Sequence, residues 1–209
     1  MAQILKEGLR QAIIDSAKEE FLNNGYENAS MRSIAKSANM TVGNLYRYFT
    51  NKEDIHRQIV SETLNEINDL LKTLTSNHVS METRVFSLKA NLDDLRDLMN
   101  RFSERLVDIY LNHKSEFNIL MMQSELNTEL TNWFSLAIKS LIEQHYLIPG
   151  YKQDREILSH TYASSIFSGI KEIFKNSDID DRNVLVRIVK TYLNSYILML
   201  DSDIRRAAN

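Results

Sequence analysis

An all-α fold of about nine helices is predicted by three features of the chain. Only 5 glycines and 1 proline interrupt 209 residues, which favours long helices over a β-sandwich or a collagen-like repeat. Apolar residues recur at three- and four-residue steps, as in Ile13, Ala17 and Phe21, which places them on one helical face. A 43% hydrophobic composition supplies enough apolar surface for a core. Cysteine is absent, so disulfides, thiolate metal sites and cysteine nucleophiles are all excluded. No apolar run approaches the ~18 residues of a membrane span, and the opening MAQILKEGLRQ lacks a signal-type apolar stretch. The chain is therefore expected to be soluble and cytoplasmic, with no membrane partner.

The first element spans about Ile4 to Asn24, stopped by Asn23-Asn24-Gly25, where glycine tolerates a left-handed turn. Ser30 is an N-cap type for a second helix with Ile34, Ala35 and Ala38 inside. Thr41 is placed to cap a third, Val42–Tyr48, and Asn51 a fourth running from Lys52 to about Leu74. Residues 76–80 read as a linker. A long helix over Glu82–Asn112, a break at His113–Ser115, and helices at Glu116–Gln123 and Leu126–Tyr146 follow. Pro149-Gly150 marks a turn, and Asp154–Lys175 and Asp181–Leu200 complete the chain.

The net charge of −3 is unevenly distributed. Residues 1–52 hold seven basic and five acidic groups, so the remainder is acidic. Residues 29–52 hold Arg32, Lys36, Arg47 and Lys52 and no acid, a suitable footprint for phosphates because no carboxylate repels them.

That window also has the parts of a helix-turn-helix. Ala35 is small where the second and third helices cross, and Asn39 accepts the αL turn conformation. Met40, Leu45 and Phe49 suit the inside of the crossing. Thr41, Val42, Gly43, Asn44, Tyr46, Arg47 and Tyr48 are left on or near the outer face and N-terminal end of the third helix, the element that enters the major groove in this motif. Gly43 permits close backbone approach. Thr41, Tyr46, Tyr48 and Lys52 offer donors to phosphates, and Arg47 reaches a phosphate or a guanine edge.

The spaced string Phe21-x3-Gly25-Tyr26, Ser30-Met31-Arg32-Ser33-Ile34-Ala35, Thr41-Val42-Gly43-Asn44-Leu45-Tyr46-Arg47-Tyr48-Phe49 and Asn51-Lys52-Glu53 resembles the TetR (tetracycline repressor-like) family of bacterial transcription regulators. The likeness covers about residues 9–56. Asn39 stands where the family usually has glycine, and Tyr48 where histidine is common. The resemblance implies a DNA-binding domain over 1–52, with contacts from Arg32, Thr41–Tyr48 and Lys52. It further implies a helical ligand-sensing and dimerisation domain over 53–209, a homodimer on pseudo-palindromic operator DNA, and a small-molecule effector.

Two regions are candidates for those last roles. Phe102, Leu106, Tyr110, Phe117, Met121, Trp133 and Phe134 supply apolar walls, with His113, Gln123 and Asn127 as polar anchors of a pocket. Ile166, Ile170, Ile173, Ile188, Tyr192, Tyr196 and Met199 lie on two helices that are apolar on more than one face, as in half of a four-helix dimer bundle. Ile157, Tyr162 and Val184 continue the same two stripes.

An enzyme is the competing class. A helical carboxylate-iron site needs two Glu-x-x-His pairs, and Glu53-x-x-His56 has no second; Glu156 and His160 are four apart. No catalytic set, metal-ligand set or cofactor is expected. A regulator acting through a protein partner is opposed by the intact Arg32, Gly43, Tyr46 and Lys52.

Overall fold

Ile13, Ala17 and Phe21 are fully buried in the computed structural model, so the first helical stripe faces inward as its spacing requires. The structure describes residues 2–75, 92–122, 128, 131–132, 134–136, 138–139, 152–175 and 179–207. Among them the ordered elements are helical: α1 (Ala2–Asn28), α2 (Met31–Ser37), α3 (Val42–Leu45), α4 (Lys52–Thr75), α5 (Leu92–Asn112), α6 (Lys114–Met121), α7 (Lys152–Lys175) and α8 (Arg182–Ala207). The all-α expectation holds. The expected linker at 76–80, the first part of the Glu82–Asn112 helix and the Pro149 turn lie outside the described residues, as does much of Leu126–Tyr146. No helix among the described residues is long and apolar enough to cross a membrane.

The chain divides into two compact units, Met1–Glu66 with His113–Gln123, and Ile67–Asn112 with Ser124–Asn209. In the first, α1 packs on α2 and α6, and α2 packs on α3. Its core joins the α1 stripe to Ile34, Ala35, Leu45, Phe49, Ile55 and Ile59, with Phe117 and Leu120 from α6. Lys18 of α1 pairs with Glu116 of α6 at 2.5 Å. Burial pushes the Glu116 carboxyl up, but the Lys18 hydrogen bond and charge outweigh it, and the group titrates below its usual range. Gly25 interrupts α1 with φ 77 and ψ 157. This is not the expected αL stop but the region open essentially to glycine alone, and helical residues resume beyond it to Asn28.

In the second unit α8 packs on α5 and α7. The α5 and α8 helices are antiparallel, as successive rungs show. Asn194 donates to Asn100 at 3.3 Å, Lys190 meets Glu104 at 2.5 Å, and Arg182 holds Asp108 through two nitrogens at 2.5 and 3.0 Å. Each rung is one helical turn from the next along α5, the spacing that brings side chains to one face. The Arg182 hydrogen bond holds the Asp108 carboxyl below its usual range. Between α7 and α8 the backbone at Gly169 leaves no room for a side chain. A Cβ there would lie 2.0 Å from the Tyr192 hydroxyl, which donates to the Ser165 carbonyl at 2.8 Å and bonds Tyr196 at 3.0 Å.

The two-faced character of α7 and α8 resolves differently from the sequence expectation. Ile166 and Ile170 are buried within the single chain, so these two are core residues and not free for a partner. On α8 the buried stripe is Leu185, Val186, Val189, Leu193 and Ile197. The expected stripe of Val184, Ile188, Tyr192 and Tyr196 forms the adjacent half-buried face, Ile173 of α7 is likewise half-buried, and Met199 is exposed.

Candidate nucleic-acid interface

The interface is built from local capping. Ser30 is extended and accepts from the Ser33 amide at 3.1 Å, while the Ser33 hydroxyl accepts from the Ser30 amide at 3.1 Å. This reciprocal pair starts α2 as a capping box, with serine in the place usual for Glu or Gln. Ala38 closes α2, and Asn39 turns the chain at φ 52, the positive value expected of it. Thr41 Oγ1 then accepts from the Asn44 amide at 3.2 Å and opens α3. The Thr41 hydroxyl proton is left to donate elsewhere.

Regular α3 ends at Leu45, shorter than the Val42–Tyr48 expected. The Arg47 and Tyr48 amides instead reach back only three residues, to Asn44 at 3.1 Å and Leu45 at 2.9 Å. This tighter winding keeps Leu45 and Phe49 inside while Tyr46 stands 53% exposed and Arg47 is exposed. Thr41 and Gly43 are exposed, and Val42, Asn44 and Tyr48 are half-buried. The expected readers of DNA thus share one short surface. Arg32 and Lys36 of α2 are also exposed, and neither they nor Arg47 form an ion pair among the described residues. Lys36, part of the acid-free window, joins the site as a further exposed cation.

Lys52 is the exception, and its expected phosphate contact is corrected by the geometry. Its ammonium donates to the carbonyls of Tyr26 at 2.7 Å, Ala29 at 3.1 Å and Glu27 at 3.3 Å, and lies 4.3 Å from the centre of the Tyr26 ring. An ammonium has three protons, and all three are used. The physical reason is that α1, broken at Gly25, leaves terminal carbonyls in need of donors, and a cation suits that negative helix end. Lys52 therefore positions α1 against the start of α4. Asn51 caps α4 as expected, accepting from the Asp54 amide at 2.8 Å.

Two supports escaped the sequence because their partners are distant along it. Arg10 of α1 hydrogen-bonds Gln58 of α4 and lies 5.0 Å over the Phe49 ring. Tyr26 donates to Glu53 at 3.0 Å and meets His56 edge-on at 4.9 Å. Burial first, and the Glu53 bond second, push the Tyr26 hydroxyl up to about 12. Glu53 is lowered by its own backbone amide and by Tyr26. The Glu53-x-x-His56 pair is thereby accounted for as packing around an aromatic ring.

His56 itself is buried, and that burial lowers its pKa against the opposing pull of Glu53. The unfolded chain takes up a proton near pH 6.5 that the folded unit resists, so stability falls as pH drops through that value. Urea midpoints at pH 7.5 and 5.5 should therefore fall for the natural chain, and fall less for His56→Phe.

The expected effector residues are divided between the two compact units. Phe102 and Phe134 meet in a T-shaped contact at 5.4 Å, Leu106 is buried, and Tyr110 stacks on Phe174 at 4.4 Å with its hydroxyl donating to the Phe174 carbonyl at 3.3 Å. His113, Phe117 and Met121 belong to the first compact unit, not to this one. Gln123, Asn127 and Trp133 lie outside the described residues.

Residues 13–59 match the family profile described as bacterial regulatory proteins, tetR family. Over this segment the chain carries a TetR-type regulatory domain. Among curated relatives, the probable HTH-type transcriptional regulator YttP of Bacillus subtilis strain 168 is 26% identical over 84% of this chain and 98% of its own length. The negative regulator IcaR of the Staphylococcus epidermidis biofilm operon icaADBC is 25% identical over 66% of this chain and 76% of its own. TetR-like crystal structures from Bordetella parapertussis 12822 (TM-score 0.55, 17% identity, 90% of this chain and 95% of that one) and Rhodococcus sp. RHA1 (0.53, 15%, 88% and 92%) share the fold.

Proposed function

We propose that this DNA-binding transcriptional regulator is a repressor that binds pseudo-palindromic operator DNA as a homodimer and leaves it when a small molecule binds. The observation that carries this reading is the α3 surface, with Thr41, Gly43, Asn44, Tyr46 and Arg47 beside the exposed cations Arg32 and Lys36. Asn44 and Arg47 read base edges, while Thr41, Tyr46, Tyr48, Arg32 and Lys36 hold phosphates. Residues 1–52 carry the DNA-binding role and 53–209 the sensing and dimer roles. The negative regulator IcaR among its relatives supports repression.

Dimerisation is assigned to the outer faces of α7 and α8. Ile157, Leu198 and Met199 are exposed there, and Ile173, Ile188, Tyr192 and Tyr196 are half-buried. A two-fold pair matches two recognition helices to two half-sites. The effector is a small apolar molecule with a few polar groups, held in the helical unit near Phe102, Leu106, Tyr110 and Phe134. It acts by binding one dimer state better than the other; ~1–3 kcal/mol of coupling changes operator affinity ~5–150-fold.

Fluorescence anisotropy with DNA from immediately upstream of the gene, beside scrambled DNA at two salt concentrations, tests the reading. Preference for the upstream DNA is expected. Asn44→Ala and Arg47→Ala should lose roughly 1–3 kcal/mol on that DNA and less on scrambled DNA, whereas Tyr48→Phe should weaken both alike. No binding at either salt overturns DNA recognition and turns the assignment to a protein partner.

A further inference from the structure

The first compact unit holds a cluster that DNA recognition does not use. Glu62 and Glu66 are one turn apart on α4, so their carboxylates share a face. His113, the residue before α6, brings its imidazole to them: Nε2 lies 2.9 Å from Glu66 Oε1. One donor atom from each of the three residues lies within 4.8 Å of the others. The imidazole faces these carboxylates and makes no cap hydrogen bond to the helix it precedes.

Charge makes the arrangement more than an ion pair. Two carboxylates one turn apart repel, even when exposed. One imidazole compensates at most one of them. Glu62 has no hydrogen bond or ion pair among the described residues, so the cluster has a negative group left over.

We propose that Glu62, Glu66 and His113 form a binding site for a divalent first-row transition-metal ion. The donor set is one imidazole and two carboxylates, with no thiolate. That suits Zn2+ or Mn2+, and it disfavours Cu(I), which prefers sulfur, and Mg2+ or Ca2+, which prefer oxygen alone. Around such an ion, bonds of about 2.0–2.2 Å set neighbouring donors roughly 3–3.5 Å apart. Side-chain rotation brings the three donors to that spacing, and water completes the coordination shell. The partners of this histidine are 47 and 51 positions away, so sequence spacing does not connect them.

The ion would clamp α4 to the start of α6. At its other end α4 begins with Lys52, which holds the end of α1, and α6 is held to α1 by Lys18 and Glu116. Metal occupancy therefore stiffens the frame that carries α3 and raises operator affinity. This consequence, unlike the site, rests on the DNA-binding reading.

The test uses untagged full-length protein stripped with a chelator and dialysed against Zn2+ or Mn2+, with bound metal measured per chain and affinity read by competition with a chromophoric chelator. One ion per chain is expected. Affinity should drop about 100-fold in His113→Ala and at least about 10-fold in Glu62→Gln and Glu66→Gln, and be unchanged in the exposed-residue control His160→Ala. Glu62→Gln removes a like-charge repulsion, so its metal-free thermal midpoint should hold or rise, and its loss of metal cannot be ascribed to misfolding. Absence of stoichiometric binding, or binding undiminished in His113→Ala and Glu62→Gln, overturns the site. Metal binding with unchanged operator affinity keeps the site and overturns its coupling to DNA.

Discussion

Replacing Lys52 by methionine is expected to weaken operator binding by about 10- to 100-fold while leaving the salt dependence of binding unchanged. The methionine keeps an apolar stem against Tyr26 but removes the charge. Three carbonyls, those of Tyr26, Glu27 and Ala29, then lose their donor. The loss of a charged donor to such acceptors amounts to about 1–3 kcal/mol, to be read as a lower urea midpoint. The DNA effect is indirect, because the freed end of α1 no longer fixes the start of α4 or the loop that carries Phe49. A cation that touched a phosphate would behave otherwise. Its removal would lower the slope of log affinity against log salt by about one with little effect on stability. Lys36→Met, at an exposed cation with no ion pair among the described residues, should show that second pattern. A slope reduced by one in Lys52→Met with an unchanged urea midpoint would return Lys52 to the phosphates.

Lys52 also marks where sequence reading succeeds and stops. Signals that act within four residues were legible: the caps at Ser30, Thr41 and Asn51, the positive φ of Asn39 and the break at His113 are all where local chemistry puts them. The contacts that hold the site together join distant positions. Lys52 reaches 23 to 26 residues back, Arg10 reaches 48 residues forward, and His113 meets a glutamate 47 positions away. No periodicity encodes such pairs. The shortened α3 was hidden for another reason, because Leu45 and Phe49 keep a helical four-residue spacing while the backbone between them winds more tightly. Ile166 and Ile170 illustrate a third limit. A helix apolar on two faces does not say which face its own chain covers, and here the chain covers theirs.

Gly43→Ala is expected to separate what the fold requires from what DNA requires. Gly43 lies in α3 without a positive φ, and a Cβ added there meets nothing within 4 Å. By itself the folded chain has no need of glycine at this position. Alanine should leave the free protein as stable or raise its stability by about 0.5–1 kcal/mol, because glycine in a helix carries the larger entropy loss. If the backbone of α3 approaches DNA here, the added methyl occupies that contact, and operator affinity should fall by about 10-fold or more. Gly25→Ala provides the opposite case. It too meets no atom within 4 Å, yet its φ of 77 with ψ of 157 is strained for any side chain. That substitution should lower stability by about 1–3 kcal/mol and weaken DNA binding only in step with the displaced α1 end. Urea unfolding and anisotropy on both variants resolve the two cases. A Gly43→Ala protein that binds the operator normally would mean that the α3 backbone stands clear of the groove at this residue, and the reading surface would then shift toward Asn44, Tyr46 and Arg47.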